Sequence, residues 1–83
     1  MRLDKYLKVS RLIKRRTVAA EAADGGRISV NGVTAKPSKE VRVGDIIEMS
    51  FGARKVRVEV LSVQETVRKD DAASMYRELG EGV

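Results

Sequence analysis

Between Gly25 and Arg27 the spacing of apolar residues changes from helical to alternating, and that switch confines the chain to a mixed fold. Upstream, Leu3, Tyr6 and Leu7 recur at i, i+3 and i+4, the stripe of a short helix. Ala19, Ala22 and Ala23 repeat the interval in a second helix, whose small side chains let another element approach closely. Thr17 is the expected N-cap of that helix, and Gly25 and Gly26 are its stop. Downstream, Ile28 and Val30 lead into Asn31-Gly32, a dipeptide suited to a two-residue hairpin turn, with Val33 and Ala35 beyond it. Pro37 marks a break, Val41 and Val43 resume the alternation, and Gly44-Asp45 reads as a turn. A continuous apolar run, Ile46 to Phe51, and an alternating run through Val56, Val58 and Val60 complete a small, mainly antiparallel sheet between Ile28 and Val63.

The fold class is therefore α+β, a helix pair on a small sheet. Residues 1–64 form the expected domain. Residues 65–83 form a tail, with Asp70 or Asp71 capping a short helix that bears Met75, Tyr76 and Leu79 and stops at Gly80. A chain of 83 residues buries only about 60% of the surface its unfolded form exposes, so no spacious buried active site is expected.

The residue inventory argues against an enzyme. The chain has neither cysteine nor histidine, which removes thiolate chemistry, the usual general base and the commonest zinc ligand. Its twelve carboxylates are scattered, and Asp24 to Gly32 lacks the lysine–hydroxyl pair of a phosphate-binding loop. No catalytic residue, metal or cofactor is expected. The first twelve residues alternate charged and apolar side chains, with no signal or membrane segment, so the expected location is cytoplasmic without a membrane partner.

Charge is distributed unevenly. The net +5 is carried by residues 1–16, where Arg2, Lys5, Lys8, Arg11, Lys14, Arg15 and Arg16 face a single acid, Asp4. The remainder of the chain is close to neutral, with ten cations and eleven acids. Such asymmetry favours a polyanion partner over a merely solvated face. Arg15 and Arg16 stand beside the N–H groups that open the second helix, where a phosphate is well accommodated. Asp4 has two readings of equal weight: it steers a neighbouring arginine, or it complements the helix dipole. Only three aromatics occur (Tyr6, Phe51, Tyr76), so recognition of folded RNA through phosphates and shape fits better than base stacking.

Three fragments resemble the RNA-binding domain first seen in small-subunit ribosomal protein four, the S-four domain. They are Arg2-Leu3-Asp4-Lys5-Tyr6-Leu7, Arg16-Thr17-Val18-Ala19, and Gly26-Arg27-Ile28-Ser29-Val30-Asn31-Gly32. The alanines of the second helix depart from the family's usual bulkier aliphatics. The resemblance implies an L-shaped helix pair against a small twisted sheet, with RNA held along the basic helical face. It implies Arg2, Asp4, Lys5, Arg16 and Thr17 as RNA-facing residues, to which Lys8, Arg11, Lys14, Arg15 and Lys36 are added on charge. The start of the chain and its tail look most like the short stand-alone members of ribosome-associated quality control, the RqcP group. That likeness implies binding to obstructed large ribosomal subunits, with contacts to rRNA and P-site peptidyl-tRNA. It also implies support of RqcH in C-terminal alanine tailing of stalled chains, and a monomer off the ribosome. A factor of large-subunit assembly or of the heat-shock response is the alternative.

Overall fold

In the computed structural model, which describes residues 1–80, the change of period at the glycine pair is also the change of secondary structure. Helix α1 spans Leu3–Val9 and helix α2 spans Arg16–Asp24. Gly25 N–H donates to the Glu21 carbonyl at 2.9 Å, and Gly26 then turns the chain out with φ 76°, a conformation that costs a residue with a Cβ. Strands β1 (Ile28–Val30), β2 (Val33–Thr34), β3 (Ile46–Phe51), β4 (Arg54–Val60) and β5 (Tyr76–Gly80) follow. They form one sheet in the order β2-β1-β3-β4-β5, with every pairing antiparallel. Asn31 and Gly32 both take positive φ, 53° and 83°, so the β1–β2 turn is the type whose twist matches that of the strands.

Both helices cover one face of this sheet. Leu3, Tyr6 and Leu7 from α1 meet Ala19, Ala22 and Ala23 from α2 over Ile28, Val30, Ile47, Met49, Val58 and Val60. The alternation in β3 and β4 turns Glu48, Arg57 and Glu59 to the opposite face, where Glu48 pairs with Lys55 and Arg57.

The sequence-based expectation needs three corrections. Helix α2 begins at Arg16 with an extended Arg15 as its N-cap, so Thr17 lies inside the first turn and caps nothing. The Val41–Val43 alternation forms no strand. Val41 packs into the core, with its N–H donating to the Met1 carbonyl at 2.7 Å, while Val43 stays exposed. The expected C-terminal helix is a 3-10 helix over Lys69–Met75, preceded by Arg68 rather than capped by Asp70 or Asp71, and Tyr76 and Leu79 belong to β5. Burial of Met75 decides this. Its carbonyl accepts from the Tyr6 hydroxyl at 2.7 Å and from the Leu61 and Ser62 N–H groups at 2.8 and 3.2 Å. The chain that follows is thereby placed on the free edge of β4, whose ladder satisfies more backbone groups than a short helix would.

Candidate nucleic-acid interface

Helix α1 starts against the loop that follows β2. Leu3 N–H donates to the Lys39 carbonyl at 2.8 Å and Asp4 N–H to the Pro37 carbonyl at 3.1 Å, which satisfies donors that a helix start leaves open. Lys5 N–H donates to Asp4 Oδ1 at 2.8 Å, turning that carboxylate back toward Arg2. Arg2 reaches it with Nε at 3.2 Å and Nη2 at 3.1 Å, and Arg16 Nη2 joins from the start of α2 at 3.4 Å. Asp4 is only 4% exposed, whereas the Arg2 and Arg16 side chains are about half exposed, at 54% and 47%. One buried carboxylate thus holds two guanidiniums from two elements and leaves their outer faces in water.

Burial alone raises the Asp4 carboxyl pKa. The hydrogen bonds from Arg2, Arg16 and the Lys5 N–H outweigh it and hold the group below its ordinary 3.8. The carboxylate is therefore charged across the physiological range. The geometry realises both readings of Asp4: it steers two arginines, and in the first turn of α1 it accepts a backbone N–H.

Arg2, Lys5 and Arg16 line an open groove of about 450 Å³ with Met1 and Ser38, bordered by Glu40 and Glu65. Lys8 and Arg11 line a smaller adjoining groove of about 180 Å³ with Val9, Thr66, Val67 and the same Glu65. Arg11 carries φ 63°, a left-handed conformation uncommon for a side-chain-bearing residue, at the turn that leaves α1. Lys14 and Arg15 are exposed in the connector, and Thr17 is exposed in the first turn of α2. No side chain caps α2, and the N–H groups of Arg16, Thr17 and Val18 have no acceptor among the described residues. Lys36 lies apart, lining a groove of about 520 Å³ beside β2 with Lys39, and Ser38 borders both this groove and that of Arg2. Among the described residues, no three His, Cys, Asp or Glu side chains gather into a possible metal site.

Sequence reasoning misses two residues of this surface. Lys39 follows a proline in a segment without periodicity, so nothing local ties it to α1. Glu65 pairs with Lys5 Nζ from sixty residues away, a separation that no spacing rule spans.

The description "S4 domain" matches residues 1–47, which hold both helices, the Asp4 cluster, and β1 and β2. The chain belongs to the S4 domain family. Within that family it is 56% identical over 81 residues to the protein of Streptococcus pneumoniae named RQC P-site tRNA stabilizing factor, covering 98% of this chain and 92% of that one. The Bacillus subtilis protein of the same name shows the same identity, with 98% and 94% covered. Heat shock protein 15 of Escherichia coli is 36% identical, covering all of this chain and 63% of its own length. Among solved structures, heat shock protein 15 of Vibrio cholerae, described as trimeric, superposes with a TM-score of 0.86 at 34% identity, over 94% of this chain and 80% of that one. The S4 match ends within β3, so Glu65 and β5 lie beyond it. No helix among the described residues is long and apolar enough to cross a membrane.

Proposed function

We propose that this S4 domain protein is a non-enzymatic RNA-binding factor of ribosome-associated quality control. It binds obstructed large subunits and contacts rRNA and the P-site peptidyl-tRNA. The observation that carries the reading is the pair of guanidiniums fixed by buried Asp4 in a groove that also holds Lys5. Fixed guanidiniums with water-facing donors suit the oxyanions of a phosphate backbone. Arg2, Lys5 and Arg16 take phosphates in this reading, and Thr17 and Arg15 add the open start of α2. Lys8, Arg11 and Lys14 extend the track, while Lys36 serves a neighbouring strand. The likeness over nearly all of both chains to proteins named RQC P-site tRNA stabilizing factor supports the pathway. Within it, the chain assists RqcH in alanine tailing, works in the cytoplasm and is a monomer when off the ribosome. Heat shock protein 15 likeness favours one second reading, a heat-shock factor on rRNA.

Sedimentation of tagged protein with cell extract tests this. The wild type should co-migrate with large subunits bearing peptidyl-tRNA, with a log–log salt slope of about −3 for some four phosphate contacts. Arg16→Ala should weaken that binding by about 1–3 kcal/mol, the range for a charge-assisted contact to phosphate. A flat salt response, or undiminished binding by the variant, overturns the assignment; co-migration with immature subunits favours a factor of large-subunit assembly instead.

A further inference from the structure

The basic groove is already partly occupied by the protein's own chain. After β4, Leu61 and Ser62 donate their N–H groups to Met75, and Val67 packs on the core. Between these anchors the backbone of residues 63–67 makes no hydrogen bond among the described residues, so it is held as a strap by its ends and its side chains. Glu65 stands at the middle of that strap. Its carboxylate engages Lys5 Nζ, and it borders both the Arg2–Lys5–Arg16 groove and the Lys8–Arg11 groove. Glu40 also borders the larger groove, but its carboxylate accepts from Arg42 Nε at 3.2 Å, outside it. The Glu65 carboxyl, stabilised in its charged form by Lys5, is 70% exposed and contributes nothing to the core.

We propose that Glu65 is a specificity-determining residue: an internal stand-in for a phosphate that RNA must displace from Lys5. This rests on the RNA-binding reading above. The Lys5 ammonium has three donors, but a phosphate drawn to it meets the repulsion of the Glu65 carboxylate already there, so full engagement of Lys5 by a ligand opens the strap contact. An RNA that also reaches Arg2 and Arg16 has other contacts to offset that opening. A strand that offers phosphates to Lys5 alone does not. Glu65 therefore lowers affinity for unselected RNA more than for the proper site, and the strap sets a threshold for binding.

The test is filter binding of the full chain to a generic RNA hairpin and to salt-washed large subunits, at several salt concentrations. Glu65→Gln should bind the hairpin roughly twofold to fivefold tighter, the range an exposed ion pair commands, with a smaller gain on subunits. Its salt slope on the hairpin should steepen by up to about 0.9 as Lys5 becomes free to take a phosphate. The gain should vanish when Lys5→Gln is present in both proteins being compared. Glu48→Gln, with the same charge change on the far face of the sheet, should show no such gain. Equal or weaker hairpin binding by Glu65→Gln, or an equal gain from Glu48→Gln, overturns the proposal and leaves the RNA-binding reading intact. Absence of salt-dependent binding by the wild type to either RNA defeats that reading, and with it the proposal.

Discussion

Replacing Asp4 by Asn should weaken RNA binding even though it makes the protein more positive. The substitution keeps the side-chain shape and one acceptor oxygen, enough for the Lys5 N–H. It sets an amide N–H₂ against a guanidinium, so one or two of the bonds from Arg2 and Arg16 are lost. A hydrogen bond to a charged group is worth about 1.5–3 kcal/mol. Here the figure is reduced because both guanidiniums are near half exposed and regain water. A loss of about 2 kcal/mol remains, which for a domain of this size lowers Tm by roughly 8–16 °C. The difference should depend on pH with a definite sign. The native carboxyl pKa is held below its ordinary 3.8, so the wild type's advantage is complete above that value and fades as pH falls through the lowered native pKa. Urea titrations of both proteins between neutral and acid pH measure this. Equal stability at neutral pH, or an undiminished gap in acid, refutes the pinned-arginine account. Tighter RNA binding by the variant refutes the positioning role, because bulk charge alone predicts that direction.

Three further outcomes are expected. Tyr6→Phe removes a buried hydroxyl that burial has pushed well above the ordinary tyrosine range and strips the Met75 carbonyl of one donor; urea melts should show a loss of about 1–3 kcal/mol. Ala19→Leu forces three more carbons into a fully buried position between the helices, which should cost about 1–3 kcal/mol with retained circular dichroism. Lys36→Ala should weaken subunit binding less than Arg16→Ala in the same sedimentation assay, because Lys36 lies in the groove beside β2, and equal losses would place both on one strand.

The helices, the hairpin turn and strands β3 and β4 are legible because each rests on local chemistry: a period, a glycine pair, an Asn-Gly. The Tyr76–Gly80 segment is not. Its residues carry a helical stripe, and only the vacant edge of β4 makes them a strand. The site shows the same division. The clustering of cations near the N-terminus can be counted in the sequence, but nothing local shows that Asp4, besides facing the helix start, also holds Arg16 from twelve residues away. Thr17 looks like a cap because the start of α2 is judged by side-chain type, whereas Arg16 already has helical backbone. Glu65 has no local signature at all. Its significance lies wholly in the partner it meets.

The hydroxyl of Tyr6 bonds to a carbonyl sixty-nine residues further on, and this has a consequence for how the protein comes into being. Synthesis delivers the cationic helix well before Met75. Until Met75 arrives, the Tyr6 hydroxyl lacks its acceptor, although α1 can already pack on α2 and the earlier strands. The nascent chain therefore carries its most basic stretch before the contact that ties α1 to the Met75 carbonyl exists. Completion of the module waits on the emergence of Met75, whatever has folded before it.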